Sequence, residues 1–259
     1  IRWAVGPVSV MPGEGPLITV TEYASRPLEE GERLALSSSG GVLEVGWNGS
    51  LLPLGALQDL EKRVEVKVPP ELLSQLEKLS CWNISGEVSV SGAFAQELSL
   101  SSLSGDLLLS GVSGGQVQAS TVSGDIQWAQ GQAEELSVKS TSGAVQLVGM
   151  NAQECRLKTV TGPLAYQGAG SKFFGESVTG SLRAQLTACP AEGELGSVQG
   201  DIFLTLPENN GFQARHSSVS GHFTSDFSGS GQGGGFLYKG GGPLLSFTTT
   251  SGDVRIARG

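Results

Sequence analysis

One turn, Ser-Gly or Thr-Gly followed by a short apolar run, recurs from Ser85 to Asp253 at a nearly constant spacing. Its glycines are Gly86, Gly105, Gly124, Gly143, Gly162, Gly180, Gly200, Gly221 and Gly252. The first four intervals are 19 residues each, the next three are 18, 20 and 21, and the last is 31. Apolar residues fall two and four positions after the glycine, as in Val88 and Val90, Leu107 and Leu109, or Ile126 and Trp128. They also fall seven and five positions before it, as in Leu98 and Leu100, or Leu136 and Val138. A third set sits two positions before it: Ile84, Leu103, Val122, Val160, Val178, Val198 and Val219. Alternation with a period of two on either side of a turn predicts strands with one buried face, and all three sets are counted toward it.

A unit of this length cannot bury such a face alone. It has to stack on its neighbours, about 4.8 Å apart, as successive coils of a β-solenoid. A propeller blade of four strands needs about 40 residues, twice this unit. Glycine is wanted at the shared corner either for a positive φ or because backbones of adjacent coils approach closely. The hydroxyl before it is expected to form a Ser/Thr ladder bonded to turn backbone groups.

Composition agrees. Thirty-nine glycines, 38% apolar residues and 6% aromatics fit many tight turns and little helix. With 25 acids against 16 bases, the net charge of -9 argues against a nucleic-acid partner. No stretch approaches the ~18 apolar residues of a membrane helix. The chain opens on Ile1 rather than Met, so the lack of a leader here proves nothing about an anchor.

Ahead of the repeat the pattern alternates without a long period. Trp3, Val5, Val8 and Val10 read as strand, 11–16 as turn, 17–23, 33–36 and 42–47 as strands, with Gly40-Gly41 as a hairpin turn. Val64, Val66 and Val68 alternate with charges up to Pro69-Pro70, and 71–79 has room for one or two helical turns. Late coils are less regular: Pro163 replaces the acid after Gly162, and Gln199 replaces the hydroxyl before Gly200. Residues 206–212 insert a loop, and the glycine-rich 226–243 reads as a longer, flexible one without a phosphate-binding fingerprint. The last unit, Thr250 to Ile256, restores the repeat and is expected to close the solenoid.

The recurring turns VSGDIQW (122–128) and LSGDLLL (103–109), the strand ending in Val68-Pro69, the stretch GDIFLTLP (200–207) and the closing TSGDVRI resemble the bacterial putative adhesin family, a domain of unknown function built of β-strand repeats. The resemblance spans essentially the whole chain. It implies an envelope or cell-surface protein, often tethered by an N-terminal membrane segment, and it carries over no catalytic residue.

Among chemistry-bearing residues, the acids after the turn glycine stand out: Glu87, Asp106 and Asp125, then Asp201 and Asp253. In a solenoid the first three form a carboxylate column, and hard cations take oxygen ligands. The calcium-binding β-roll spacing is missing, and Asp is a favoured turn residue, so a solvated turn is the preferred reading and no metal is assigned. Paired carboxylates also serve glycoside hydrolysis, but no focal cluster of Asp, Arg and His interrupts the repeat. His216 and His222 flank Gly221 without a third ligand for zinc, and are read as one partly buried and one exposed histidine. No Gly-x-Ser-x-Gly elbow marks a nucleophilic serine.

Cys81 and Cys155 occupy inward slots as small core hydrophobes, too far apart to pair, and Cys189 reads as free. Of Trp3, Trp47, Trp82 and Trp128, only Trp82 takes an outward slot. Packing against the N-terminal region is preferred there over a carbohydrate platform. The triplets at Asn48 and Asn83 match glycosylation sequons by chance.

The sequence therefore predicts an all-β protein. A strand-rich cap at 1–75 precedes a right-handed parallel β-solenoid at 76–259 in coils of about 19 residues. The expected role is a non-catalytic, extracytoplasmic structural or binding module of the cell envelope, with no cofactor. Its partner is expected to be a protein or a cell-wall glycan, and it is expected to be a monomer. The alternatives are a carbohydrate-active β-helix enzyme and a self-assembling scaffold.

Overall fold

The computed structural model describes residues 1–47, 60–232 and 235–259. Each coil supplies an entry strand leading into the turn glycine and an exit strand leaving it, and each set forms its own parallel ladder. In the exit ladder, Leu107 lies opposite both Val88 and Ile126. In the entry ladder, Val117 lies opposite both Leu98 and Leu136. Each partner is one repeat away, so the spacing in the sequence is the register of the sheet. Val88, Leu107, Ile126, Val145, Leu164 and Leu182 are buried in one column, and Leu98, Val117, Leu136 and Cys155 in another. The chain is a parallel β-solenoid.

One expectation is overturned. The apolar residues two before the glycine face solvent: Leu103, Val122, Val178, Val198 and Val219 are exposed, and Ile84 and Val160 half-buried. The position three before the glycine is buried instead, and it is polar: Asn83, Ser102, Thr121, Ser140, Thr159, Ser177, Ser197 and Thr249. The reason is parity. Positions seven, five and three before the glycine share the inner face of the entry strand, so the position two before it must point outward.

The expected division at residue 75 is crossed by the chain itself. Strands Arg2–Val5 and Val8–Pro12 are parallel rungs of the two ladders, paired with Leu76–Ser85 and Val88–Ser91. Lys62–Val68 adds to Val8–Pro12 from the other side, and Thr19–Ala24 covers it in antiparallel sense. Val8–Pro12 is thus inserted between two segments that follow it by 50 residues or more. The hairpin Leu34–Ser39/Val42–Trp47 turns on Gly40 and Gly41, both at positive φ (58° and 78°), the conformation that a two-residue hairpin turn requires. Among the described residues of this region, helix comprises the α-helical turn Pro70–Leu73 and a 3-10 turn at Glu30–Glu32.

The other end repeats the device. The final unit does not close the solenoid. Its strands Leu244–Thr249 and Val254–Arg258 slot between Glu192–Ser197/Ile202–Leu206 and Phe212–Ser218/Phe223–Ser225. The terminal coil is the earlier one, and the glycine-rich segment carries the chain around it. In that segment the strands Gly229–Gln232 and Gly235–Tyr238 are antiparallel to each other, and the second is antiparallel to Phe212–Ser218. Phe227, Phe236 and Tyr238 hold it by packing their rings 5.2, 5.9 and 5.5 Å from that of Phe212. Glu208 ties the 207–211 loop to it, accepting from Tyr238 Oη and, at 2.6 Å, from Lys239 Nζ. At each end one of the two ladders therefore finishes in an antiparallel cover, the exit ladder at Thr19–Ala24 and the entry ladder at Gly235–Tyr238.

Candidate functional site

The corner of each coil is built around a column of ten glycines: Gly6, Gly86, Gly105, Gly124, Gly143, Gly162, Gly180, Gly200, Gly252 and Gly221, in spatial order. A Cβ on Gly143 would lie 1.9 Å from the carbonyl oxygen of Gly124, and one on Gly162 1.8 Å from that of Gly143. Only Gly6 and Gly86 in this column have positive φ. Close backbone approach, not a left-handed conformation, is what demands glycine here.

Two hydroxyl columns serve the corner. The outer one, directly before the glycine, donates to the coil behind: Ser104 Oγ to Ile84 O at 3.2 Å, Ser142 Oγ to Val122 O at 3.2 Å, Thr179 Oγ1 to Val160 O at 3.3 Å. The inner one, three before the glycine, serves its own turn at Thr159, Ser177, Ser218 and Thr249, while Thr121 Oγ1 donates to Gly105 O of the coil behind. Ser177 Oγ accepts from Gly180 N–H at 2.9 Å, and Thr249 Oγ1 donates to Gly252 O at 3.0 Å. Asn83 plays this part at the first regular coil, its amide donating to Gly86 O at 2.9 Å. The sequence reading found the outer ladder and missed the inner one, although Ser or Thr three before every turn glycine from Gly105 on was there to be seen.

The acids after the glycine act between coils. Asp106 Oδ1 accepts from the backbone N–H of Asp125 at 2.8 Å, and Asp125 Oδ1 from that of Ala144 at 2.8 Å. Asp201 does the same for Asp253, and Asp253 for His222, both at 2.9 Å. The irregular coil obeys the same logic. Ala144 offers no carboxylate, and the residue it would serve is Pro163, which has no N–H. Asp253 is held below the usual carboxylate range, first by the His222 N–H and then by its imidazole, whose Nδ1 lies 3.5 Å away. Glu87 shares the column but is exposed, with its backbone carbonyl accepting from Val8 N–H. Among the described residues no three His, Cys, Asp or Glu side chains converge as a metal site.

A family model described as Toastrack DUF4097 matches residues 47–257. The chain belongs to the Toastrack family. The resemblance of the turns to that family of β-strand repeats is thereby shown. No curated protein matches the sequence. Among solved structures, a putative cell adhesion protein from Clostridium sporogenes ATCC 15579 aligns over 100% of this chain and 91% of its own, at 10% identity and a TM-score of 0.36. That likeness is too loose to bear on fold or function.

The remaining candidates of this Toastrack chain fall apart in space. His216 is half-buried, its ring 5.8 Å from that of Phe223, and burial lowers its pKa; His222 is exposed. Cys81 and Cys155 are buried and free, with burial pushing the Cys81 thiol up to about 11; Cys189 is free and half-buried. Trp3 and Trp128 are core. Trp82 is 46% exposed between Arg2 and Ser101 in the ladder, so it is not packed away as expected. Asn83 is fully buried and closed to glycosylation, while the Asn48 triplet lies outside the described residues.

Lys62 gave no signal in the sequence, yet it is buried, paired with Glu22 at 2.5 Å, bonded to Glu32 O and seated 4.7 Å over the Trp3 ring. It fastens the inserted N-terminal strand beneath its cover. An open recess of about 590 Å³ beside it is lined by Val5, Pro7, Tyr23, Leu60, Lys62 and Arg63. Along the flanks charges pair across coils, as in Lys78–Glu97 at 2.8 Å and Lys158–Glu176 at 2.7 Å. Among the described residues no helix is long and apolar enough to cross a membrane.

Proposed function

We propose that this Toastrack chain is a non-catalytic, extracytoplasmic structural or binding module of the bacterial cell envelope. It works as a monomer, tethered to the membrane through a segment outside residues 1–259. The observation that supports this most is the use to which the turn carboxylates are put. Asp106, Asp125, Asp201 and Asp253 each hold a backbone N–H of the next coil, which leaves the repeat with long, even flanks rather than a focal pair of acids. Such flanks suit extended contact with a protein or a cell-wall glycan. An antiparallel cover over one ladder at each end weighs against head-to-tail polymerisation, which needs open parallel edges on both ladders.

Affinity capture from an envelope fraction, run beside a reducing-end assay on cell-wall glycan, tests the reading. Capture of an envelope component with no glycan cleavage is expected. Cleavage lost in Asp106→Asn overturns it in favour of an enzyme, and elution volumes that shift with concentration overturn the monomer.

A further inference from the structure

The outward residues two before the turn glycines stack coil upon coil into an apolar ridge along one edge of the solenoid, interrupted by Thr141 between Val122 and Val160 and by Thr250 between Val198 and Val219. Leu103, Val122, Val178, Val198 and Val219 on it are between 37% and 84% exposed. Single exposed apolar residues are ordinary, but apolar residues aligned on consecutive coils, as in Ile84, Leu103 and Val122 and again in Val160, Val178 and Val198, mark a contact surface. Beside the ridge runs the hydroxyl row, and beyond the glycines the row that holds Glu87, Asp106, Asp125, Asp201 and Asp253. From Ile84 on, the rows two before to one after the turn glycine contain neither Lys nor Arg. The edge is therefore apolar on one side and, on the other, acidic toward both ends, with Ala144, Pro163 and Ser181 between the two acidic groups. Each capping aspartate engages one oxygen with a backbone N–H.

We propose that this edge docks a basic amphipathic helix of a partner protein, laid along the solenoid axis. Its apolar stripe rests on the ridge, and its Lys or Arg residues face the acidic row. Spacing favours a helix over an extended strand. The ridge repeats about every 4.8 Å, a helix presents its stripe every 5.4 Å or so, and same-face residues of a strand lie about 6.6 Å apart. Charge disfavours a second copy of this chain, since two molecules of net charge -9 would meet at an acidic edge. The inference rests on the binding-module reading and names the partner class for one of its edges.

The probe is a fluorescein-labelled synthetic peptide, a helix with a Leu stripe flanked by Lys, read by anisotropy against the whole chain. A second peptide carries the same stripe flanked by Glu. Binding of the Lys peptide alone is expected. It should weaken roughly tenfold in Leu103→Ser/Val122→Ser, whose exposed positions leave the melting temperature unchanged. Its salt dependence should fall in Glu87→Gln/Asp106→Asn/Asp125→Asn, where the amide oxygens of the two Asn can still accept the backbone N–H. Equal binding of both peptides, no binding of either, or no effect of the ridge substitutions overturns the proposal. A failure here with successful envelope capture rejects the helix and keeps the module; failure of both rejects the module.

Discussion

Each coil turns twice, and glycine stands at both corners for different physical reasons. At the first corner the column from Gly86 to Gly221 is pressed against carbonyl oxygens of the coil behind, and from Gly105 on φ is not positive. At the second corner Gly92, Gly111 and Gly149 are left-handed, at φ of 62°, 62° and 71°, and their Cβ positions meet nothing closer than 3.2 Å. Gln130 occupies the same register at φ 59°. A side chain fits the second corner at a conformational cost and does not fit the first at all. One corner is constrained by space, the other by dihedral angle. The first is accordingly the one with a near-constant repeat in the sequence.

The largest effect expected from breaking this contrast is Gly143→Ala. Its Cβ would meet backbone that cannot give, so a loss of about 3 kcal/mol or more is expected in urea unfolding. Gly149→Ala, with its nearest neighbour 3.5 Å away, should cost only about 1 kcal/mol for the left-handed alanine. Equal losses at the two corners would erase the distinction.

Asp125→Ala should also cost about 1 kcal/mol by freeing the Ala144 N–H, whereas Ala144→Asp should stay within about 0.5 kcal/mol, because Pro163 has nothing to donate. A clear gain from Ala144→Asp would mean that the column stabilises through charge rather than through capping. Gln130→Gly should gain about 0.5 kcal/mol by relieving the left-handed side chain.

The smallest effect is one of pH. Asp253 has a depressed pKa in the fold, so its contribution is present above the unfolded value and disappears as pH falls through the folded one. Melting temperature followed from neutral pH into the acid range should decline less steeply in Asp253→Asn than in the parent chain.

Much of this was legible in advance. The inward columns followed from alternation around each glycine, and the outer hydroxyl ladder from the residue preceding it. The hairpin at Gly40-Gly41 and the burial of Cys81, Cys155 and Trp128 also followed. Two readings were recoverable but missed. Gly6 is followed two and four residues later by Val8 and Val10, the signature of a rung, yet 80 residues separate it from Gly86 and no period connects them. The outward aim of Leu103 and Val122 was fixed by parity, but apolar character was taken as burial. The glycine-rich 226–243 looked flexible because its composition carries no alternation. What holds it is the packing of its own rings, Phe227, Phe236 and Tyr238, on Phe212, which lies outside the segment.

The sequence by itself determined the coil: its length, its inner and outer faces, and the glycine that lets one backbone lie on the next. These are local properties repeated in phase, and in a solenoid repetition in phase is the register. Only the tertiary structure decided the order of the rungs. Residues 8–12 and 244–258 each slide between strands that are not their neighbours in sequence. Every rung offers nearly the same hydrogen-bonding edge, so periodicity does not distinguish one neighbour from another. The choice is made where edges differ: at Lys62 with Glu22 and Trp3, at Asp201, Asp253 and His222 handing one hydrogen bond from coil to coil, and at the aromatic cover on Phe212.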